Sequence, residues 1–207
     1  MVNSRVNLGV NFKNKVKKLA MVRKMGLPNL NLRHVGIFVS DIDVMSSFYK
    51  SVLGFTQTDR GEVRGGQVVF LTRDPLSHHQ LVMETGRPIG AGPGLGVQQI
   101  SFQVATLGDL RQMYKIVSQR NDVTTIQTID HGNSWSLYFR DPEINRIEVY
   151  LDTPWHISQP YSEPLGLLQT DEIIYETTLK KLTSYGEVKP FEAWSNELSK
   201  TILSNLS

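Results

Sequence analysis

The chain has 207 residues, 40% of them hydrophobic, enough for one large or two small domains with a full apolar core, so general disorder is excluded. It contains no Cys, which excludes disulfide scaffolds, thiolate metal sites, thiol nucleophiles and iron–sulfur clusters; any metal must bind through His, carboxylate or amide oxygen. The net charge of +2 conceals an uneven distribution, because residues 1–28 hold seven of the 22 Lys/Arg and none of the 20 Asp/Glu.

That basic N-terminal arm, with Arg5, Lys13, Lys15, Lys17, Lys18, Arg23 and Lys24, admits nucleic-acid binding, targeting or a solvated, partner-docking extension. The last is the preferred reading, and no nucleic-acid partner is expected. No apolar run approaches the roughly 18 residues of a membrane span, and the start lacks the apolar stretch of a signal peptide. A soluble, cytoplasmic protein is expected.

From residue 30 onward the elements follow one plan twice. His34-Val-Gly-Ile-Phe-Val39 alternates as a strand, and a helix follows with Ser40 or Asp41 as N-cap, Ile42, Met45, Phe48, Tyr49 and Val52 on one face, and a stop at Gly54. Further strands lead to Phe70-Leu-Thr-Arg-Asp-Pro75, whose Asp-Pro marks a turn before a last strand at His79–Met83. A Gly/Pro-rich hinge at 88–96 then leads into the second copy. It is too irregular for a phosphate loop, since no helix opens after it.

About 65 residues after the first strand, Gln99-Ile-Ser-Phe-Gln-Val104 repeats its pattern, and a helix after Thr106 carries Leu110, Met113, Tyr114 and Val117. Tyr138-Phe-Arg-Asp-Pro142 repeats the turn phrase before a last strand at Arg146–Leu151. The expected fold is therefore α+β, with two tandem strand–helix–three-strand modules at 30–87 and 97–154. A C-terminal extension at 155–207 reads as two helices, near Asp171–Leu182 and near Phe191–Leu203.

Residues two apart on a strand share a face. Val35, Ile37 and Val39 send His34, Gly36 and Phe38 to the other side; Ile100, Phe102 and Val104 do the same to Gln99, Ser101 and Gln103; Ile147, Val149 and Leu151 oppose Arg146, Glu148 and Tyr150. If the sheets curve around one cleft, His34, Gln99 and Glu148 supply one nitrogen, one amide oxygen and one carboxylate to a facial metal triad, related to the two-His, one-carboxylate set of ferrous oxygen chemistry.

Four phrases carry a family resemblance: Leu32-Arg-His34-Val-Gly, Phe48-Tyr-Lys-Ser-Val-Leu-Gly-Phe55, His78-His-Gln-Leu81, and Asp130-His-Gly-Asn-Ser-Trp-Ser-Leu-Tyr-Phe-Arg-Asp-Pro142 continuing to Asn145-Arg-Ile-Glu-Val149. Over roughly residues 30–160 the chain resembles the vicinal oxygen chelate superfamily of glyoxalase I, bleomycin-resistance proteins and type I extradiol dioxygenases. The phrase around His131, with Asp152-Thr-Pro-Trp155, is similar to the ring-cleaving, dihydroxybiphenyl-type branch.

The resemblance implies that the two modules form a curved mixed sheet around a metal cleft, with His34, Gln99 and Glu148 as metal ligands and Gln99 standing where that branch has a second His. Glyoxalase I-like relatives use Gln on an equivalent strand. It further implies His79 as the acid–base residue and Tyr138, ten residues before Glu148, as the tyrosine that hydrogen-bonds the ring hydroxyl, with His131 beside the site; His156 matches no ligand.

The activity so implied is extradiol cleavage of a small aromatic, catechol-type vicinal diol by dioxygen, with a divalent metal as cofactor: Fe(II) first, then zinc, nickel or manganese. A homodimer or higher homo-oligomer is expected. The rival readings are a redox-silent isomerase, lyase or hydrolase of the same superfamily and a metal-free binding protein.

Overall fold

A computed structural model describes residues 31–90, 92 and 97–204. The basic arm at 1–28 and, from the hinge, residues 91 and 93–96 lie outside the described residues. The first module runs β1 (Val35–Val39), α1 (Ile42–Leu53), β2 (Thr56–Val63), β3 (Gly66–Thr72) and β4 (Leu81–Thr85). The second runs β5 (Ile100–Gln103), α2 (Leu107–Ser118), β6 (Thr124–Asp130), β7 (Ser134–Arg140) and β8 (Arg146–Asp152). After it come β9 (Trp155–His156), β10 (Glu163–Pro164), α3 (Asp171–Tyr185), β11 (Lys189–Pro190) and α4 (Phe191–Ser204).

Local signals set the helix ends as expected. Asp41 is the N-cap of α1, accepting from the backbone N–H groups of Asp43 at 3.0 Å and Val44 at 2.9 Å, and Gly54 closes the helix with φ 68, a left-handed conformation that costs a glycine little. Thr106 caps α2 by accepting from Asp109 N at 3.0 Å. One boundary differs from expectation. β4 starts at Leu81 rather than at His79, because Asp74 folds the preceding chain into a turn, accepting from Leu76 N and Ser77 Oγ, and Gln80 Oε1 is drawn to Arg73 N at 2.9 Å. His78 and His79 therefore sit on that turn.

The two modules share a topology. In the four-stranded sheet the order is β1-β4-β3-β2, with β1 parallel to β4; in the five-stranded sheet it is β10-β6-β7-β8-β5, with β5 parallel to β8. The mixed sheet is thus two sheets, joined through one apolar core that includes Met45, Phe48, Tyr49 and Leu81 of the first module and Leu110, Leu137 and Val149 of the second. A polar joint reinforces the core: Tyr49 donates to Asp141 Oδ2 at 3.2 Å, and the Glu143 carboxylate accepts from the backbone N–H groups of Ser40 and Asp41 at the start of α1.

Beyond the second module, Glu163–Pro164 extends the second sheet by pairing with Ile129–Asp130, and α3 buries Ile174, Thr178 and Leu182. The Thr178 hydroxyl accepts from Trp135 Nε1 at 2.9 Å and donates to Asp130 Oδ2 at 2.6 Å, all three residues being buried. Burial pushes the Asp130 carboxyl above its ordinary value, and its bonds to Thr178 and Gly132 oppose that shift. The unit so formed covers Arg33–Phe191; the turns of α4 from Glu192 onward belong to a separate unit. No helix among the described residues is long and apolar enough to cross a membrane.

Replacing Thr178 by Val keeps the volume and strips partners from a buried indole N–H and a buried carboxyl group. Each orphaned polar group costs about 1–3 kcal/mol, so Thr178→Val should lose roughly 2–4 kcal/mol in urea unfolding, and Thr178→Ser should recover most of it.

Candidate functional site

The parallel pairing of β5 with β8 puts Ser101 opposite Glu148, and the antiparallel pairing of β7 with β8 puts Tyr138 opposite it on the other flank. Paired residues share a sheet face, so the three side chains converge, and Gln99, two residues before Ser101, joins them. Glu148 is only 7% exposed. Its Oε1 accepts from the Tyr138 hydroxyl at 2.5 Å, and its Oε2 accepts from Ser101 Oγ at 2.5 Å and Gln99 Nε2 at 2.7 Å. Every donor is neutral, and Glu148 forms no ion pair among the described residues. A carboxylate removed from water calls for a countercharge or a metal.

Tyr138 also meets His131, whose Nε2 lies 2.9 Å from its hydroxyl and whose Nδ1 lies 2.9 Å from the Tyr161 carbonyl. That carbonyl can only accept, so Nδ1 carries a hydrogen. The Tyr138 hydroxyl has one hydrogen and two acceptors within reach, Glu148 Oε1 at 2.5 Å and, with the hydrogen on Nδ1, His131 Nε2 at 2.9 Å. Burial, and then the bond to Glu148, push the Tyr138 phenol well above its ordinary range, so it stays a hydroxyl.

In the first module, His34 stands one residue before β1 as Gln99 stands one before β5, and its ring packs on His79 at 4.4 Å between centroids. His79 also contacts Phe70 at 5.2 Å, and its Nδ1 meets His78 Nδ1 at 2.9 Å, while His78 Nε2 binds Asp59 at 2.8 Å. Burial lowers the His79 pKa below 6.5, and the charges of His34 and His78 lower it further. The structure thus brings Gln99, Glu148, Tyr138 and His131 into one hydrogen-bonded group and His34 with His79 into another. Among the described residues no hydrogen bond or ion pair links the two groups, and no three or more His, Cys, Asp or Glu cluster as a metal-binding set.

Register exposes a divergence between the copies. β3 pairs Phe70 with Val82 where β7 pairs Tyr138 with Glu148, so the first module has an apolar pair at the position of the second module's polar one. Ser101 was legible in the sequence only as a strand residue facing away from the core; its place against Glu148 comes from the register. Tyr161, whose carbonyl holds His131, carries no sequence signal, because its contribution is main-chain. His156 stands in β9, paired with Lys189.

Residues 31–149 match the Glyoxalase/Bleomycin resistance protein/Dioxygenase superfamily. Two curated proteins of Rhodococcus globerulus are similar: biphenyl-2,3-diol 1,2-dioxygenase 3, 29% identical over 126 residues, and biphenyl-2,3-diol 1,2-dioxygenase 2, 29% identical over 124 residues, each alignment taking in 58% of this chain. The chain spans 63% and 61% of their respective lengths. A solved glyoxylase/bleomycin resistance protein/dioxygenase domain from Frankia sp. EAN1pec superposes with a TM-score of 0.51 at 19% identity, covering 61% of this chain and 93% of that one, which is a likeness of fold.

The depressed His79 pKa is directly measurable. In a histidine NMR titration of the full chain, His79 should titrate below 6.5, and His34→Ala should move it part of the way back, since the burial contribution remains. The folded state binds this proton more weakly than the unfolded state, so the associated stability is present above about pH 6.5 and is lost as the pH falls through the folded-state pKa.

Proposed function

Because the chain belongs to the Glyoxalase/Bleomycin resistance protein/Dioxygenase superfamily, we propose that it is a metal-dependent enzyme acting on a catechol-type vicinal diol, in the manner of the extradiol dioxygenases. The observation that carries this reading is the buried Glu148 carboxylate, which has no cationic partner among the described residues and stands beside an amide and a phenol. The donor chemistry fits a divalent metal. His34 would offer an imidazole that makes no hydrogen bond among the described residues, Gln99 its amide oxygen, since its nitrogen serves Glu148, and Glu148 the negative charge. When bound, the metal supplies charge stabilisation and a common template for diol and dioxygen, with Fe(II) the expected ion.

The chain's own side chains then have distinct tasks. His79, neutral at pH 7, accepts a proton from the diol at Nε2, because its Nδ1 is engaged by His78. Tyr138 keeps its hydrogen at neutral pH and orients a ring oxygen, and His131 holds the hydroxyl from the far side. Phe70 and Val82 offer apolar surface to a planar ring. Gln99 in place of a second imidazole also favours a second reading, a redox-silent enzyme of the superfamily.

Metal content after purification without added metal, read together with catechol-dependent oxygen uptake, tests the proposal. Iron near one per chain with uptake supports it; zinc, nickel or manganese without uptake supports the redox-silent reading, and metal at trace level supports a binding protein. Glu148→Ala should abolish metal binding, Gln99→His should tighten ferrous iron and keep or raise cleavage, and His79→Ala should keep the metal and lose about 10²-fold in turnover. Metal retained in Glu148→Ala would remove these three residues as the ligand set.

A further inference from the structure

The segment after the second module, beyond the residues that match the superfamily, is bonded at several points to the loop that bears His131. Thr153 N donates to the Asn133 carbonyl at 3.0 Å, and Ile157 N donates to Asn133 Oδ1 at 2.7 Å. Gly132, at φ 71, leaves no room for a Cβ, which would lie 2.7 Å from both Ile157 Cγ2 and Leu182 Cδ2. The loop and the segment are therefore packed main chain against side chain.

Within this contact one side chain closes a ring of hydrogen bonds. Gln159 Nε2 donates to the His131 carbonyl at 2.8 Å, Gln159 Oε1 accepts from Tyr161 N at 3.0 Å, and His131 Nδ1 donates to the Tyr161 carbonyl at 2.9 Å. A primary amide has the donor and the acceptor needed to bridge two main chains in this way; a carboxylate lacks the donor, and a methyl group lacks both. Gln159 itself is exposed, and its substitution opens no core.

We propose that Gln159 is a positioning residue: by bridging the main chains of His131 and Tyr161 it holds the Tyr161 carbonyl against His131 Nδ1, which keeps the hydrogen on that nitrogen and turns Nε2 toward Tyr138. Its functional meaning rests on the reading of Tyr138 and Glu148 as part of the active site; the geometry does not. The segment outside the superfamily match thus supplies the orientation of a side chain inside it. A tautomer is chosen by the partner of the opposite ring nitrogen, and here that partner is a carbonyl held in place by one exposed amide.

The test uses the metal-free 207-residue chain labelled with 15N-histidine, and reads the tautomer of His131 and the solvent exchange of its Nδ1–H by NMR. The wild-type protein should show a single Nδ1–H tautomer. Gln159→Ala should speed exchange of that hydrogen by about fivefold to tenfold, the effect of losing roughly one net hydrogen bond, and should mix the tautomers, with the melting temperature unchanged. Gln159→Glu, which keeps the acceptor for Tyr161 N and loses the donor to His131, should fall between the two. Unaltered tautomer and exchange in Gln159→Ala would overturn the proposal, and so would an equal loss of protection throughout the module, which marks a general structural role. Neither readout involves metal, diol or turnover, so its failure is distinct from failure of the dioxygenase reading.

Discussion

The parallel pairing of the first and last strand of each module is the constraint on which the fold and the site both depend. Parallel strands cannot be joined by a tight turn, so the chain must leave through a helix and return through a meander, as each copy does. The return places the last strand beside the first. In the second module this sets Ser101 opposite Glu148, and the antiparallel hairpin sets Tyr138 on the other flank. A one-residue slip in either ladder would turn Glu148 into the apolar core and expose Ile147 or Val149.

Duplication of the plan did not duplicate the chemistry. Where the second module pairs Tyr138 with Glu148, the first pairs Phe70 with Val82, and the histidines of the first module gather instead at the turn before its last strand. The first copy carries an apolar pair and imidazoles at these positions, and the second a carboxylate with its hydrogen-bond donors. The Glu148 carboxylate is held by three neutral donors. Tyr138 and Ser101 are on strands and Gln99 stands one residue before one, so the group is carried by the sheet backbone.

As far as Phe191, the C-terminal extension belongs to the same unit as the second module. Thr178 on α3 completes a buried row with Trp135 and Asp130, and Asp130 is the residue before His131. Trp135, Trp155 and Tyr175 pack edge to face around that row, with centroids 4.8–6.3 Å apart. The loop bearing His131 is thereby held by the sheet on one side and by the extension on the other, and its ring angle follows from contacts made some thirty residues later in the chain.

Period and local chemistry determined much of this protein from sequence alone. Alternation assigned the faces of β1, β5 and β8; Gly54 and Thr106 marked helix ends that the structure reproduces, and of Ser40 and Asp41 it takes Asp41, because a cap is satisfied by backbone groups within a few residues of it. The repeat was legible because both copies keep the same order of strand, helix and turn phrase. Tertiary structure decided what depends on partners distant in the chain. It moved the start of β4 from His79 to Leu81 through the turn built on Asp74, gave Glu148 its three donors through register, and bound His131 to the carbonyl of Tyr161. A main-chain acceptor has no residue type to betray it, and a carboxylate reads the same in a sequence whether water or three neutral donors surround it.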